Sequence, residues 1–347
     1  MTKMIKGAVM YGERTADTIE YPVPVPGPGE VLIQMKTSAI CGSDLHRYRM
    51  DKSFREFAAP FVPGHEPSGI VVELGAGCNR AKVGDRVSVF HLIGCGHCRH
   101  CRVGMPQWCS ERVAIGHPEA FGGDADYMTI VERNALKLPD GLTFDDGAMI
   151  ACIAATGFSS MRKIAPSGED TVVIFGQGPV GLSGLIMAKA MGARVIGVEV
   201  MEERRALSRA LGADETIDPT AVDVISAVKD LTKGYGADAT FETSGNAQAQ
   251  ADVINVLRPA GRGVQVGHGH RGPTINPSSL CGKELTLMGS VVMPMHYFWD
   301  LADFMLEHDL SAKYQQMITH RYPITEAAEA FRMADSRTAG KVVFNWD

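Results

Sequence analysis

No run in the 347-residue sequence approaches the ~20 consecutive apolar residues that a membrane span needs. The opening stretch MTKMIKGAVMYGERTADTIE also lacks the apolar core of a secretory signal. A basic excess is missing too. Lys and Arg number 34 against 40 Asp and Glu, and the formal net charge of -6 is the wrong sign for a general nucleic-acid binder. Solenoid-type repeats and low-complexity tracts are absent. These absences lead us to expect a cytoplasmic protein with no membrane or nucleic-acid partner. Cytosolic thiols stay reduced, so its 8 cysteines are expected as metal ligands, catalysts or packed residues rather than disulfides.

What is present falls into two patterns. At about 150 residues per domain the length suggests two domains. Up to about residue 150 the chain is rich in short β-type runs broken by Gly and Pro, such as EVLIQMKTSAI, SGIVVEL, DRVSVF and ADYMTIV. Such density predicts a mainly β, antiparallel, partly barrel-like domain over 1–153. YPVPVPGPGE (21–30) reads as an ordered extended turn segment within it. From TVVIF (171–175) the pattern becomes strand–helix alternation through RVIGVEV, DETID, ATFETSG and GRGVQVG, with a helix at about 246–257, ending in the apolar ELTLMGSVV. That alternation predicts an α/β domain over 154–291, a doubly wound parallel sheet. Residues 292–347 are too few for a third domain and are expected to return to the first.

The glycine loop GQGPVG follows a predicted strand and opens a predicted helix, with Gly176, Gly178 and Gly181 in G-x-G-x-x-G spacing. Those glycines permit a tight turn, close backbone approach to a pyrophosphate, and packing of helix on strand, while the helix N-terminus offers free N–H groups. Glu199 ends the next strand, 18 residues after Gly181, where a carboxylate accepts from ribose hydroxyls and repels a 2′-phosphate. NAD is therefore expected over NADP. Arg204 and Arg205 keep a phosphate-binding alternative open.

GCGHCRHCRVGMPQWC (94–109) holds Cys95, Cys98, Cys101 and Cys109. Four thiolates at this spacing suit a closed tetrahedral zinc site with no open position, hence a structural one. A redox C-x-x-C centre lacks a predicted helix start after the motif, and a [4Fe–4S] cluster is the other alternative. Of the remaining cysteines, Cys41 lies in AICGSDLH and Cys152 in MIACIAATG, while His65 and Glu66 lie in PGHEPSG. Two thiolates and an imidazole would meet the demand of a catalytic zinc for three protein ligands. Ordinary buried cysteines are the other reading of Cys41 and Cys152, and the preferred one for Cys78 and Cys281.

Together these segments resemble the zinc-containing medium-chain alcohol dehydrogenase family. GHEPSGIVVELGAGC (64–78) is similar to that family's zinc signature, and CGSDLH, the four-cysteine loop, CIAATG, GQGPVG and RTAGKVVF follow in the family's order. The resemblance spans nearly the whole chain. It implies a GroES-like catalytic domain and a Rossmann domain, with the reaction in a cleft between them. It implies two Zn²⁺ per chain: a catalytic one on Cys41, His65 and Cys152, with Glu66 beside it, and a structural one on Cys95, Cys98, Cys101 and Cys109. Ser43 and His46 match the proton relay, and Asp44 the carboxylate behind the zinc-bound histidine. Thr156 matches a position near the nicotinamide and Lys341 a contact to the pyrophosphate. Pro179, Val180, Arg204 and Val266 complete the expected cofactor contacts. The activity implied is NAD-dependent oxidation of an alcohol, the metal acting as Lewis acid and the hydride leaving to the nicotinamide.

Members with simple hydrophobic alcohols as substrates often carry an aromatic where this chain has His91. A polar or secondary alcohol is therefore expected, with a strand-capping histidine as the alternative. A threonine- or polyol-dehydrogenase relative is the runner-up, although Cys152 follows the alcohol-dehydrogenase pattern. Arg47, Arg49, Lys52 and Arg55 would favour an anionic substrate or form a solvated loop. His97, His100, His308 and His320 read as surface residues. ELTLMGSVV is apolar enough to pair two copies, so a homodimer or homotetramer is expected. A zinc-ribbon binding module is the alternative of another class, disfavoured by the acidic charge.

Overall fold

Strands buried on both faces need helices above and below them, and the stretch between residues 171 and 289 supplies both in alternation. The computed structural model describes residues 3–53, 61–269, 272 and 277–346. It divides into two units, one of Met1–Cys152 with Pro294–Asp347 and one of Ile153–Met293. Among the described residues no helix is long and apolar enough to cross a membrane.

The Ile153–Met293 unit is built on six parallel strands. Their order is Glu215–Ile217, Arg194–Val198, Thr171–Phe175, Ala237–Glu242, Leu257–Gln265 and Thr286–Gly289. Val172, Val173 and Ile174 in the middle are fully buried, as an unbroken apolar run predicts for a strand covered on both sides. Strand order reverses between Thr171–Phe175 and Ala237–Glu242, which is where a doubly wound sheet opens a crevice for a ligand. This is the Rossmann arrangement. Helices Ile153–Ile164 and Pro179–Ala190 approach closely because both carry glycine at their contacts. A Cβ on Gly157 would stand 2.5 Å from Ser183 Oγ. The strand Leu257–Gln265 begins ahead of the GRGVQVG run and shortens the helix before it to Ala247–Asn255. Pro259 and Ala260, the latter at φ +57, are accommodated as an irregularity in its pairing with Ala237–Glu242.

The other unit centres on the strand Glu30–Ala39. It pairs antiparallel with Pro67–Leu74, Tyr127–Val131 and Lys341–Asn345, and the sheet continues to Arg86–Val89 and Ala135–Lys137. Register shifts at Leu32/Ile33 and Met35/Thr37 let this strand bend and serve three partners. Val31, Ile33 and Met35 point inward against Val71, Val87, Val89, Ile115, Met128 and Ile130, the alternation of a half-buried strand. This is the GroES-like domain. Lys341–Asn345 carries the end of the chain into the sheet laid down by its first forty residues, against Thr37, Ser38 and Ala39. The antiparallel pair Leu92–Ile93 and Val113–Ala114 closes the base of the four-cysteine loop.

Candidate active site and metal centres

The glycine loop takes the conformation its residues require. Gly176 has φ +87, a region costly for any residue with a Cβ. A Cβ on Gly181 would lie 1.9 Å from Gly176 O, so the helix seats on the turn only with glycine there. Gly178 caps helix Pro179–Ala190, and a Cβ on it would meet only Arg204 Nη1, at 3.8 Å. The backbone is thus bare where a phosphate would approach. Glu199 is fixed beside it, its carboxylate accepting from the N–H groups of Gln177 (2.8 Å), Val200 (2.9 Å) and Met201 (3.1 Å). Arg205 is committed to Glu202 and Asp218. Thr156 is buried in helix Ile153–Ile164, Pro179 and Val180 form the first turn of their helix, and Val266 follows the strand Leu257–Gln265. Two residues at this crevice were not singled out from sequence. Thr243 donates to the carbonyls of Phe175 and Gly176, both at 3.0 Å, and buried Glu242 accepts from Ser244 and Gly245. Polar residues clustered at a strand's carboxyl end were the signal available.

The sulfur atoms of Cys95, Cys98, Cys101 and Cys109 lie within 4.8 Å of one another. The backbone N–H of Cys98 points at Cys95 Sγ and that of Cys95 at Cys109 Sγ, each at 3.4 Å. Such N–H groups favour thiolate. Those of His97 and Cys98 bring the Cys95 thiol down to about 6, whereas burial pushes Cys101 up to about 12. Contrary to expectation a helix does start after the motif: Cys98 caps the single turn Arg99–Arg102. Four residues carry too little periodicity to register in the sequence. Convergence of all four sulfurs, rather than absence of a helix, is what favours a closed tetrahedral metal site.

The second cluster draws on three elements of the same unit. Cys41 caps the helix Gly42–Tyr48, His65 follows Gly64 into the strand Pro67–Leu74, and Cys152 sits at the break between helices Phe144–Ala151 and Ile153–Ile164. Gly64 has φ +94, and a Cβ there would collide with Asp124. Thr143 and Asp146 form a capping box that starts Phe144–Ala151, and Cys152 leaves it at φ -146, ψ -67. One donor atom each from Cys41, His65, Glu66 and Cys152 lies within 4.8 Å of the others. Asp44 ties the cluster together. Its Oδ2 accepts from the Cys41 N–H (3.0 Å) and its Oδ1 meets His65 Nδ1 (3.2 Å). With Nδ1 so held, Nε2 faces the cluster, 3.5 Å from Ser43 Oγ. His46 lies one turn further along the same helix and is exposed, as is Ser43.

The electrostatics are those of a site built for a cation. The hydrogen bond from Cys152 and the charge of His65 hold the Cys41 thiol well below its ordinary range, while Cys152, its partner, is pushed above. Burial works against a charged His65, but Asp44 and Cys41 override it and raise its basicity. Glu66 is buried, raised to about 8 by desolvation, and its Oε1 has no hydrogen-bond partner among the described residues. Two soft sulfurs, one oriented imidazole and a spare carboxylate oxygen fit Zn²⁺ with a fourth position left to substrate. His91 is buried beside them, its ring 5.1 Å from that of His65 and its Nδ1 2.9 Å from Ala151 O. Burial and the neighbouring His65 bring it down to about 4, so it is neutral and its Nε2 is an acceptor. The strand-cap alternative is thereby set aside, because the ring bonds next to Cys152 rather than at its own strand end.

Several expectations change. Lys341 is buried, its ammonium 2.6 Å from Glu66 Oε2 and 2.9 Å from Ile40 O, partners beside the cysteines that the sequence did not reveal. Arg49 pairs with Asp335, Lys52 with Glu13, and Arg47 bonds Gly116 O and His117, so these cations are spent within the protein. Arg55 lies outside the described residues. Cys281 is exposed and Cys78 only partly buried, donating to Glu30 O. Sequence reasoning also missed Asp124, a fully buried carboxylate accepting from Ser38 Oγ at 2.6 Å and raised to about 7 by burial and by Asp44. An acid directly after two glycines in GGDADY was its only trace.

Comparison with known proteins agrees with the geometry. Residues 27–140 match the alcohol dehydrogenase GroES-like domain and residues 179–307 the zinc-binding dehydrogenase domain. An uncharacterized zinc-type alcohol dehydrogenase-like protein of Escherichia coli (strain K12) is 35% identical over 99% of both chains. L-threonine 3-dehydrogenase of Coxiella burnetii is 34% identical over 94% of each. The crystal structure of 2R,3R-butanediol dehydrogenase from Bacillus subtilis superposes with a TM-score of 0.88 at 28% identity, covering 99% of this chain and 100% of that one. The chain belongs to the zinc-containing medium-chain alcohol dehydrogenase family and is an oxidoreductase of that family. The zinc-ribbon alternative falls with that membership.

Proposed function

We propose that the protein oxidises a secondary alcohol carrying a second, hydrogen-bond-donating polar group, such as a polyol or a hydroxy amino acid, with NAD as hydride acceptor. The observation that carries the substrate class is His91. A neutral imidazole acceptor buried against His65 is unpaired by an aliphatic chain but satisfied by a neighbouring hydroxyl or ammonium. The similar threonine and butanediol dehydrogenases act, by name, on alcohols of that description.

A zinc ion held by Cys41, His65 and Cys152 would supply the Lewis acid that acidifies the substrate hydroxyl. The chain does the rest. Asp44 keeps the Nδ1 proton of His65 and so aims Nε2 inward. Ser43 Oγ, beside that nitrogen, accepts the substrate proton and hands it toward His46, three residues on along the helix. Glu199, fixed by three N–H groups, puts negative charge where a 2′-phosphate would sit, which favours NAD. A second zinc in the four-cysteine loop is structural. The edge strand Thr286–Gly289 pairs on one side only among the described residues and is the proposed contact between copies in a dimer or tetramer.

The test is NADH formation by purified enzyme with threonine, vicinal diols, pentitols and simple alcohols, repeated with NADP. Preference for the polar secondary alcohols with NAD is expected. Turnover of simple primary alcohols alone, or a preference for NADP, overturns the corresponding part.

A further inference from the structure

A third cluster of ligand atoms lies at the surface of the four-cysteine loop. One donor atom each of Cys95, His97 and Glu111 stands within 4.8 Å of the others, and His97 and Glu111 are exposed. Two details point to a cation. His97 Nδ1 is 3.2 Å from Cys95 O, and a ring tied to a backbone carbonyl through one nitrogen presents the other as a lone pair, the usual setting of a metal-binding imidazole. Glu111 has no hydrogen bond or ion pair among the described residues. Charge points the same way. Four thiolates around one Zn²⁺ carry two surplus negative charges, to which Glu111 adds another. Arg99, Arg102 and Arg112 offer positive charge but no donor atoms to a metal.

We propose that Cys95, His97 and Glu111 form a second, exchangeable zinc site on the outside of this loop, with the Cys95 thiolate bridging to the four-sulfur site. A thiolate sulfur has lone pairs enough for two metals, and S, N and O donors with one water complete a tetrahedron suited to Zn²⁺. The outer site also resolves a difficulty of the inner one. Four protein sulfurs leave no open position, so an ion entering or leaving needs a neighbouring foothold. Cys95, shared by both sets of ligands, provides it.

Holoenzyme dialysed into metal-free buffer is titrated with Zn²⁺ by equilibrium dialysis, and bound metal is counted per chain. We expect one equivalent beyond the tightly held zinc. In Glu111→Gln and in His97→Ala that equivalent weakens by roughly tenfold or more, while tightly held zinc and NADH formation stay at wild-type values. No further equivalent, or one that both variants retain at wild-type affinity, overturns the proposal. So does a fall in tightly held zinc in either variant, which would assign these residues to the inner site. Failure of the dehydrogenase reading would show separately, as absent NADH formation by the wild-type enzyme.

Discussion

The two sulfur clusters of this protein are assembled in opposite ways. The four-cysteine cluster takes every donor from residues 95–109, a single loop pinched at its base by Leu92–Ile93 and Val113–Ala114. The other takes donors from Cys41, His65 and Cys152, held by a helix cap, a glycine turn and a helix break. The loop supplies four donors to a metal by itself, an arrangement that fits a stiffening role rather than chemistry. The scattered cluster exists only when the whole sheet is formed, and behind it stand Asp44, Glu66, Lys341 and Asp124, all buried. Four buried ionisable groups cost stability, whereas within residues 95–109 no Asp, Glu, Lys or Arg is buried. Investment of that kind marks the place where charge must be controlled.

The sharpest way to break this contrast is to remove one donor from the scattered cluster. His65→Ala should lower kcat/KM for NADH formation on the order of 10³-fold, the several kcal/mol of transition-state stabilisation a Lewis acid supplies. Cys98→Ser should act on stability instead. Losing an ion held at a hundred times its Kd costs about 3 kcal/mol, read as a lower thermal midpoint, with folded enzyme still turning over. Asp44→Asn, which leaves the His65 ring without its carboxylate, should weaken zinc in the scattered site by roughly 10–100-fold, measured by chelator competition. The smallest effect concerns Asp124. Its carboxyl, raised to about 7 when folded by burial and by Asp44, binds a proton that the unfolded chain at its ordinary ~3.9 has given up. Stability from this group is full below about pH 4 and is lost as pH rises through 7. Asp124→Asn should flatten that part of the pH dependence of thermal unfolding, and an unchanged profile would remove Asp124 from the account.

The same contrast explains what could be read from sequence. The cysteine loop and the glycine loop are local, and Cys95 to Cys109 or Gly176 to Gly181 carry their geometry in their spacing. The parallel, doubly wound character of the sheet followed from strand–helix alternation, while the order of its six strands came from the structure. Cys41, His65 and Cys152 could be offered as a ligand set from residue type and tied together by family resemblance, but their proximity depends on the fold. The pairing of Lys341 was hidden for the same reason. Its partner Glu66 is 275 positions away, and only the pairing of Lys341–Asn345 with Glu30–Ala39 brings them together. Asp124 and Glu242 were invisible because a buried carboxylate reads in sequence like any solvated one. The turn Arg99–Arg102 was too short to show a period.

Zinc content and NADH formation measured on the same preparations of wild type, Cys41→Ala and Cys98→Ala decide between the two clusters most directly. After dialysis against metal-free buffer, two tightly held zincs are expected in the wild type and one in each variant, with activity abolished in Cys41→Ala and retained by folded Cys98→Ala. Folded Cys98→Ala that is inactive, beside Cys41→Ala that still forms NADH, would contradict the assignment of chemistry to the scattered cluster.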